Sequence, residues 1–115
     1  MRNIRHHALI ITCNDRKVLE SIRSKALELY KQHMEASSGS NLVSGIQDSI
    51  VNHYASFFIV PDGSKEGYDA SDDGDVIRKK IIEFITPLCK SETYHLSYGE
   101  ISYGADDGST TFNHS

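Results

Sequence analysis

Between Asp69 and Gly74 the chain reads DASDDG, so Asp69, Ser71, Asp73 and Gly74 stand at positions one, three, five and six of the EF-hand ligand spacing. Oxygens at alternate positions suit a hard cation, and the glycine permits the sharp turn. That chemistry needs a bidentate carboxylate at position twelve, where this chain carries Lys80. The preceding residues also have strand rather than helix character. Calcium binding is rejected on both grounds. The same acids have a second use. Ser71, Asp72 and Asp73 directly precede an apolar helical pattern from about Gly74 to Thr86, where their oxygens would accept from the first free N–H groups and complement the helix dipole.

Capping explains the acids but not the length of the connection. Ten residues separate Gly63 from Gly74, more than a plain connection needs, and loops of that size are often functional. Ser64, Lys65 and Tyr68 would supply a hydroxyl, a cation and a ring for stacking, with Arg78 reaching back across the first helical turn. Gly63 and Gly67 let the backbone turn and present N–H groups. This set suits a phosphate or nucleotide, because Lys and Arg meet the charge while Tyr meets the base. Tyr54, with His53 beside it, is a further candidate contact from the second strand. Neither Walker-type nor GxGxxG spacing accompanies these residues.

Six histidines are spread over the chain. His6 or His7, His53 and His95 would make a zinc-like set if adjacent strands brought them together, but no pair has the i,i+4 spacing that would fix it. Structural or surface roles are the simpler reading, and no metal is assigned. The triplet HLS at 95–97 invites comparison with the paired H-x-[ST] elements of two-histidine phosphoesterases. Its only counterpart, HYAS at 53–56, has the wrong spacing, so an acid–base pair cannot be assembled. A histidine-based hydrolase is the weakest alternative. No G-x-S-x-G elbow is present, and neither Cys13 nor Cys89 has a neighbouring histidine. Enzymatic activity is therefore not the leading expectation, and no cofactor is implied. Tyr54, Tyr94, Tyr98 and Tyr103 lie in or near strands, where they serve either an interface or the rim of a core.

The elements that must position these groups are legible. HHALIITC, 6–13, is a nearly continuous apolar run, suited to a central strand covered on both faces, or on one face and an interface. Asn14 and Asp15 supply an N-cap. Val18, Leu19, Ile22, Ala26, Leu29, Tyr30 and Met34 then describe one stripe of a helix from Asp15 to about Glu35. After the loop 36–45, Ile46, Ile50 and Val51 suggest a short helical turn. NHYASFFIV, 52–60, follows as a strand, with Tyr54, Ser56, Phe58 and Val60 on one face and Ala55, Phe57 and Ile59 on the other.

Val76, Ile77, Ile81, Phe84 and Ile85 form the second helix stripe, closed by Pro87. In the tail, Leu96 and Tyr98 share one parity and Ile101 and Tyr103 the other, which predicts a bulge or break at Gly99. Asp107-Gly108 signals a hairpin. The expected fold is α+β: a single domain over 1–115, a small two-layer sandwich of order β-α-β-α-β-β, with two helices on one face of a mainly antiparallel sheet.

Composition narrows the function classes. The net charge is −4 and the pI about 5.8, whereas duplex-binding proteins carry a basic excess, so duplex nucleic acid is not an expected partner. The apolar run after the basic N-terminal residues is too short for a signal peptide or a membrane span. Two isolated cysteines suit a reducing compartment, and the expected location is the cytoplasm.

The segments HHALIITCND and ALELY, then SFFIVPDGSKEGYDASDDGD, then SYGEISYG resemble small proteins encoded by bacteriophages and prophages. The resemblance spans most of the chain, and PDGSKEGYDASDDGD is its most specific block. It implies a small accessory protein acting in a host bacterial cytoplasm. Accessory proteins of this kind disarm host defence by sequestering a nucleotide signal or by blocking a host protein. It carries no catalytic residue with it. The leading expectation is a non-enzymatic homo-oligomer that captures a small anionic, nucleotide-like ligand. The alternative is an interaction inhibitor of a host bacterial protein.

Overall fold

A computed structural model of the chain describes residues 5–33, 42–61, 63, 69–104 and 109–114. Strand β1 is Arg5–Cys13 and helix α1 is Arg16–His33; a two-residue strand, β2, covers Gln47–Asp48 and β3 covers Ala55–Ile59. Helix α2 is Asp69–Ile85, a 3₁₀ turn follows at Leu88–Lys90, and β4 (Leu96–Gly104) and β5 (Ser109–His114) complete the order. The strands form one five-stranded antiparallel sheet in the order β2-β3-β1-β4-β5. The expected α+β sandwich is the observed one, with β2 as an extra edge strand.

β1 is central because its sequence can be buried along its length. Its odd-numbered residues Leu9, Ile11 and Cys13 are fully buried under the helices, as are Ala55, Phe57 and Ile59 of β3, so the two-residue periodicity assigned the faces of β3 correctly. From α1, Leu19, Ile22, Ala26, Leu29 and Tyr30 meet them. Each buried aliphatic side chain contributes on the order of 1.5–3 kcal/mol. Asp15 caps α1 as expected: its Oδ1 accepts the backbone N–H groups of Lys17 at 3.0 Å and Val18 at 3.2 Å. Asn14 joins the strand ends, its Oδ1 accepting from His95 N–H at 2.7 Å while its own N–H donates to His95 C=O at 3.2 Å.

Four expectations need correction. Helix α2 begins at Asp69, not Gly74, so Ser71, Asp72 and Asp73 lie inside it rather than ahead of it; acids in the opening turns complement the helix dipole from within. Part of the apparent over-length of the loop was helix. The buried stripe of α2 is Ile77, Ile81 and Ile85, while Val76 and Phe84 are exposed. The stretch around Ile50 is not a helical turn but the tip of a β2–β3 hairpin. There Ser49 N–H donates to Tyr54 C=O at 2.8 Å, and Asn52 and His53 both adopt positive φ, 63° and 57°. Strand β3 consequently starts at Ala55.

Gly99, finally, is neither bulge nor break. The β1–β4 register runs unbroken from Cys13↔Leu96 to Arg5↔Gly104. The apolar parity switches because Leu96 and Tyr98 face the helices whereas Ile101 and Tyr103 share rows with Ala8 and His6 on the other face.

Candidate ligand cleft

Helix α2 does not close completely onto the sheet. A cleft of about 510 Å³ opens between it and the strands, floored by His7 of β1 and by Glu100 and Ser102 of β4. His7 and Ser102 are register partners, and Glu100 pairs with Leu9, so all three continue the parity that is buried further along each strand. Asp75, Arg78, Lys79 and Ile82 line the opposite wall with Glu83. Their i, i+3, i+4, i+7 spacing puts the first four on one side of α2, adjacent to its Ile77–Ile81–Ile85 core stripe.

Arg78 is the unusual member. It is only 4% exposed, whereas most arginines reach water. Among the described residues its hydrogen bonds go to Asp75 alone, from Nη2 to Oδ1 at 2.5 Å, and the Asp75 side chain is 58% exposed. A guanidinium offers five N–H donors in a planar fork. Burying that charge is costly unless it is well paired, and a counter-ion standing mostly in water is a weak offset. The same cleft carries three carboxylates, Asp75, Glu83 and Glu100, against the two cations Arg78 and Lys79. Ser102 places a hydroxyl on its floor.

The residues expected to form one site are divided. Arg78 lies in this cleft and reaches one turn back along α2 to Asp75. Ser64, Lys65 and Tyr68 fall outside the described residues. His53 and Tyr54 are at the other end of β1, in a second cleft of about 470 Å³ shared with Asn14, Arg16 and Asp48. The register puts Cys13, paired with Ala55, six residue steps along β1 from His7, a separation of about 20 Å. His53 and Tyr54 therefore cannot share a small ligand with Arg78. In the second cleft Arg16 is committed to Asp48 at 2.5 Å and Glu20 at 3.3 Å.

The histidines are likewise separated. His6 packs on Tyr103, with ring centroids 5.2 Å apart, His53 sits in the hairpin turn, and His95 precedes β4. No group of three or more His, Cys, Asp or Glu among the described residues could hold a metal ion. No helix of the described residues is long and apolar enough to cross a membrane. Tyr94 and Tyr98 pack against the core, while Tyr103 is exposed.

His7, Lys79, Glu83, Glu100 and Ser102 were not anticipated as site residues. The available signal was parity: His7 continues the line of Leu9, Ile11 and Cys13, and Glu100 and Ser102 that of Leu96 and Tyr98. A polar group on a buried parity marks the rim of a core or a cleft.

No family model and no curated protein sequence matches the chain. Among solved structures, the adenylyl cyclase CyaB from P. aeruginosa aligns over 96% of this chain and 66% of that one, at 14% identity and a TM-score of 0.31. A superposition that loose transfers no residue and no activity.

Proposed function

We propose that the chain is a non-enzymatic binding protein for a small anionic ligand of the mononucleotide class, held in the cleft between α2, β1 and β4. The observation that carries this reading is buried Arg78 with its countercharge left in water. Arg78 and Lys79 would bind the phosphate with Ser102 donating, Glu100 and Glu83 would accept from sugar hydroxyls or a base amino group, and Ile82 would lie against the base. The volume is within the usual range for small-ligand sites, roughly 300–1,000 Å³. Capture without turnover would suit the phage-type accessory role that the sequence resemblance implies, in which a host nucleotide signal is withdrawn.

Calorimetric titration with inorganic phosphate, linear mononucleotides and cyclic nucleotides tests the reading. Saturable binding by one class, weakened at least about tenfold in Arg78→Met, is expected from the loss of one charge-assisted contact. Heatless titrations with every probe at millimolar concentration would refute it.

A second reading rests on a different observation. Ile50 and Val51 are strongly exposed at the tip of a hairpin whose backbone is held by Asn52 and His53, a form suited to insertion into a host protein. Binding to a host protein that is abolished by Ile50→Asp and untouched by nucleotides would favour it.

A further inference from the structure

The charges that line the α2 cleft are sorted along its length. On the floor, His7 and Ser102 share one row of the β1–β4 register and Leu9 and Glu100 the next, about 7 Å further along. Along β4, Glu100 lies nearer than Ser102 to Leu96, the partner of Cys13. Helix α2 leads toward that same end. The chain leaves it through the 3₁₀ turn Leu88–Lys90, which adjoins β4, and Leu88 and Cys89 pack against the core that holds Cys13 and Leu96. Later residues of α2 therefore lie toward the Glu100 row and earlier ones toward His7 and Ser102. Glu83 stands five residues after Arg78, a rise of about 7.5 Å. Wall and floor agree: Arg78 and the Ser102 hydroxyl mark one end, Glu83 and Glu100 the other.

The pairing of these charges leaves both ends in use. Asp75 is the countercharge of Arg78. Lys79 and Glu83 have the i,i+4 spacing of a helical ion pair, yet among the described residues no ion pair joins them. With Asp75 set against Arg78, the two carboxylates Glu83 and Glu100 face the single cation Lys79. A ligand that is negative throughout is attracted at the Arg78 end and repelled at the other. A ligand that carries a cation to the far end turns that repulsion into a second charge-assisted contact.

We infer that the ligand of this cleft is a zwitterion, with a protonated aliphatic amine about 7 Å from its phosphate. Arg78, Lys79 and Ser102 hold the phosphate, and Glu83 and Glu100 take the ammonium, whose three donors match two acceptor-only carboxylates. The inference rests on the reading of the cleft as a phosphate site and narrows it. The feature selected is an ionised amine, on a sugar or on a short alkyl arm, rather than the neutral amino group of a base.

Calorimetric titration with two pairs of probes is the test. One pair is 4-aminobutyl phosphate and butyl phosphate; the other is 3′-amino-3′-deoxyadenosine 5′-phosphate and adenosine 5′-phosphate. In the wild type the amine should bind at least about tenfold more tightly than its amine-free parent, the worth of one charge-assisted contact. That preference should fall towards one in Glu100→Gln and in Glu83→Gln, while the amine-free parents bind as well as before or better. Both substitutions keep the side-chain shape, and Glu83 is already exposed, so circular dichroism should be unchanged. A preference in the nucleotide pair alone supports the inference with the base as a further contact; a preference in both pairs supports it without one. Equal binding within each pair overturns the inference and leaves the phosphate reading standing. An amine preference that both glutamine variants retain overturns it as well. Absence of binding by all four probes at millimolar concentration overturns both.

Discussion

Replacing Arg78 by methionine separates a charge kept for a ligand from a charge kept for the fold. Methionine retains an unbranched apolar stem and removes the guanidinium. What is lost is the bond to Asp75, whose side chain is 58% exposed; a pair with one partner largely in water contributes up to about 1 kcal/mol. What is gained is relief from desolvating a cation, an effective penalty of several kcal/mol per ion that the pair offsets only in part. The net expectation runs from no change to a stabilisation of about 2 kcal/mol, or a rise in Tm of up to roughly 8 °C at about 4 °C per kcal/mol. Asp75→Asn, which keeps the buried cation and weakens its partner, should destabilise by up to about 1 kcal/mol. The chain has no tryptophan, so urea unfolding is best followed by far-ultraviolet circular dichroism. A loss of more than about 2 kcal/mol in Arg78→Met, at unchanged m-value, would show that the guanidinium holds the structure together and would remove the basis for an anion site.

Asp15→Ala removes the cap of α1 and should cost about 1 kcal/mol by urea unfolding. His53→Gly relieves a left-handed residue in the hairpin and should stabilise by up to about 1 kcal/mol, while ligand titration at the distant α2 cleft stays unchanged. Burial pushes the Cys13 thiol above its ordinary range, against the opposing hydrogen bond from the Asp15 N–H. Above about pH 8.5 the unfolded thiol ionises while the native one keeps its proton, so stability falls as pH rises through that region. Urea midpoints between about pH 8 and 10 should show this slope in the wild type and a shallower one in Cys13→Ala.

The architecture was legible in the sequence because its periodicities are strong and local. The α1 stripe, the Asp15 cap and the two faces of β3 follow from side chains whose burial depends on neighbours a few positions away. The cleft was not legible, for a traceable reason. Ile101 and Tyr103 are apolar on the face turned away from the helices, which made the parity of β4 seem to switch at Gly99. A bulge there would have turned Glu100 and Ser102 away from the helices. Only the unbroken pairing with β1, a long-range property, restores them to the side where His7 and Arg78 lie. The start of α2 was misjudged for the opposite reason. Its acids read equally well as caps or as first-turn residues, and local pattern does not distinguish the two.

The position of β1 also bears on how the molecule reaches its fold. β1 is made early, but its neighbours are β3 and, much later, β4, and the contact between Asn14 and His95 spans 81 residues. Closing a loop of that size costs about 4 kcal/mol in chain entropy beyond the constant term before any pair is rewarded. Until β4 emerges during synthesis, one long edge of the most apolar strand has no partner. Folding should therefore be slow for a chain of this length and complete only after β4 is made. In the interval β1 is the segment most exposed to pairing with the wrong strand, which makes the α1–β3 half an aggregation-prone intermediate.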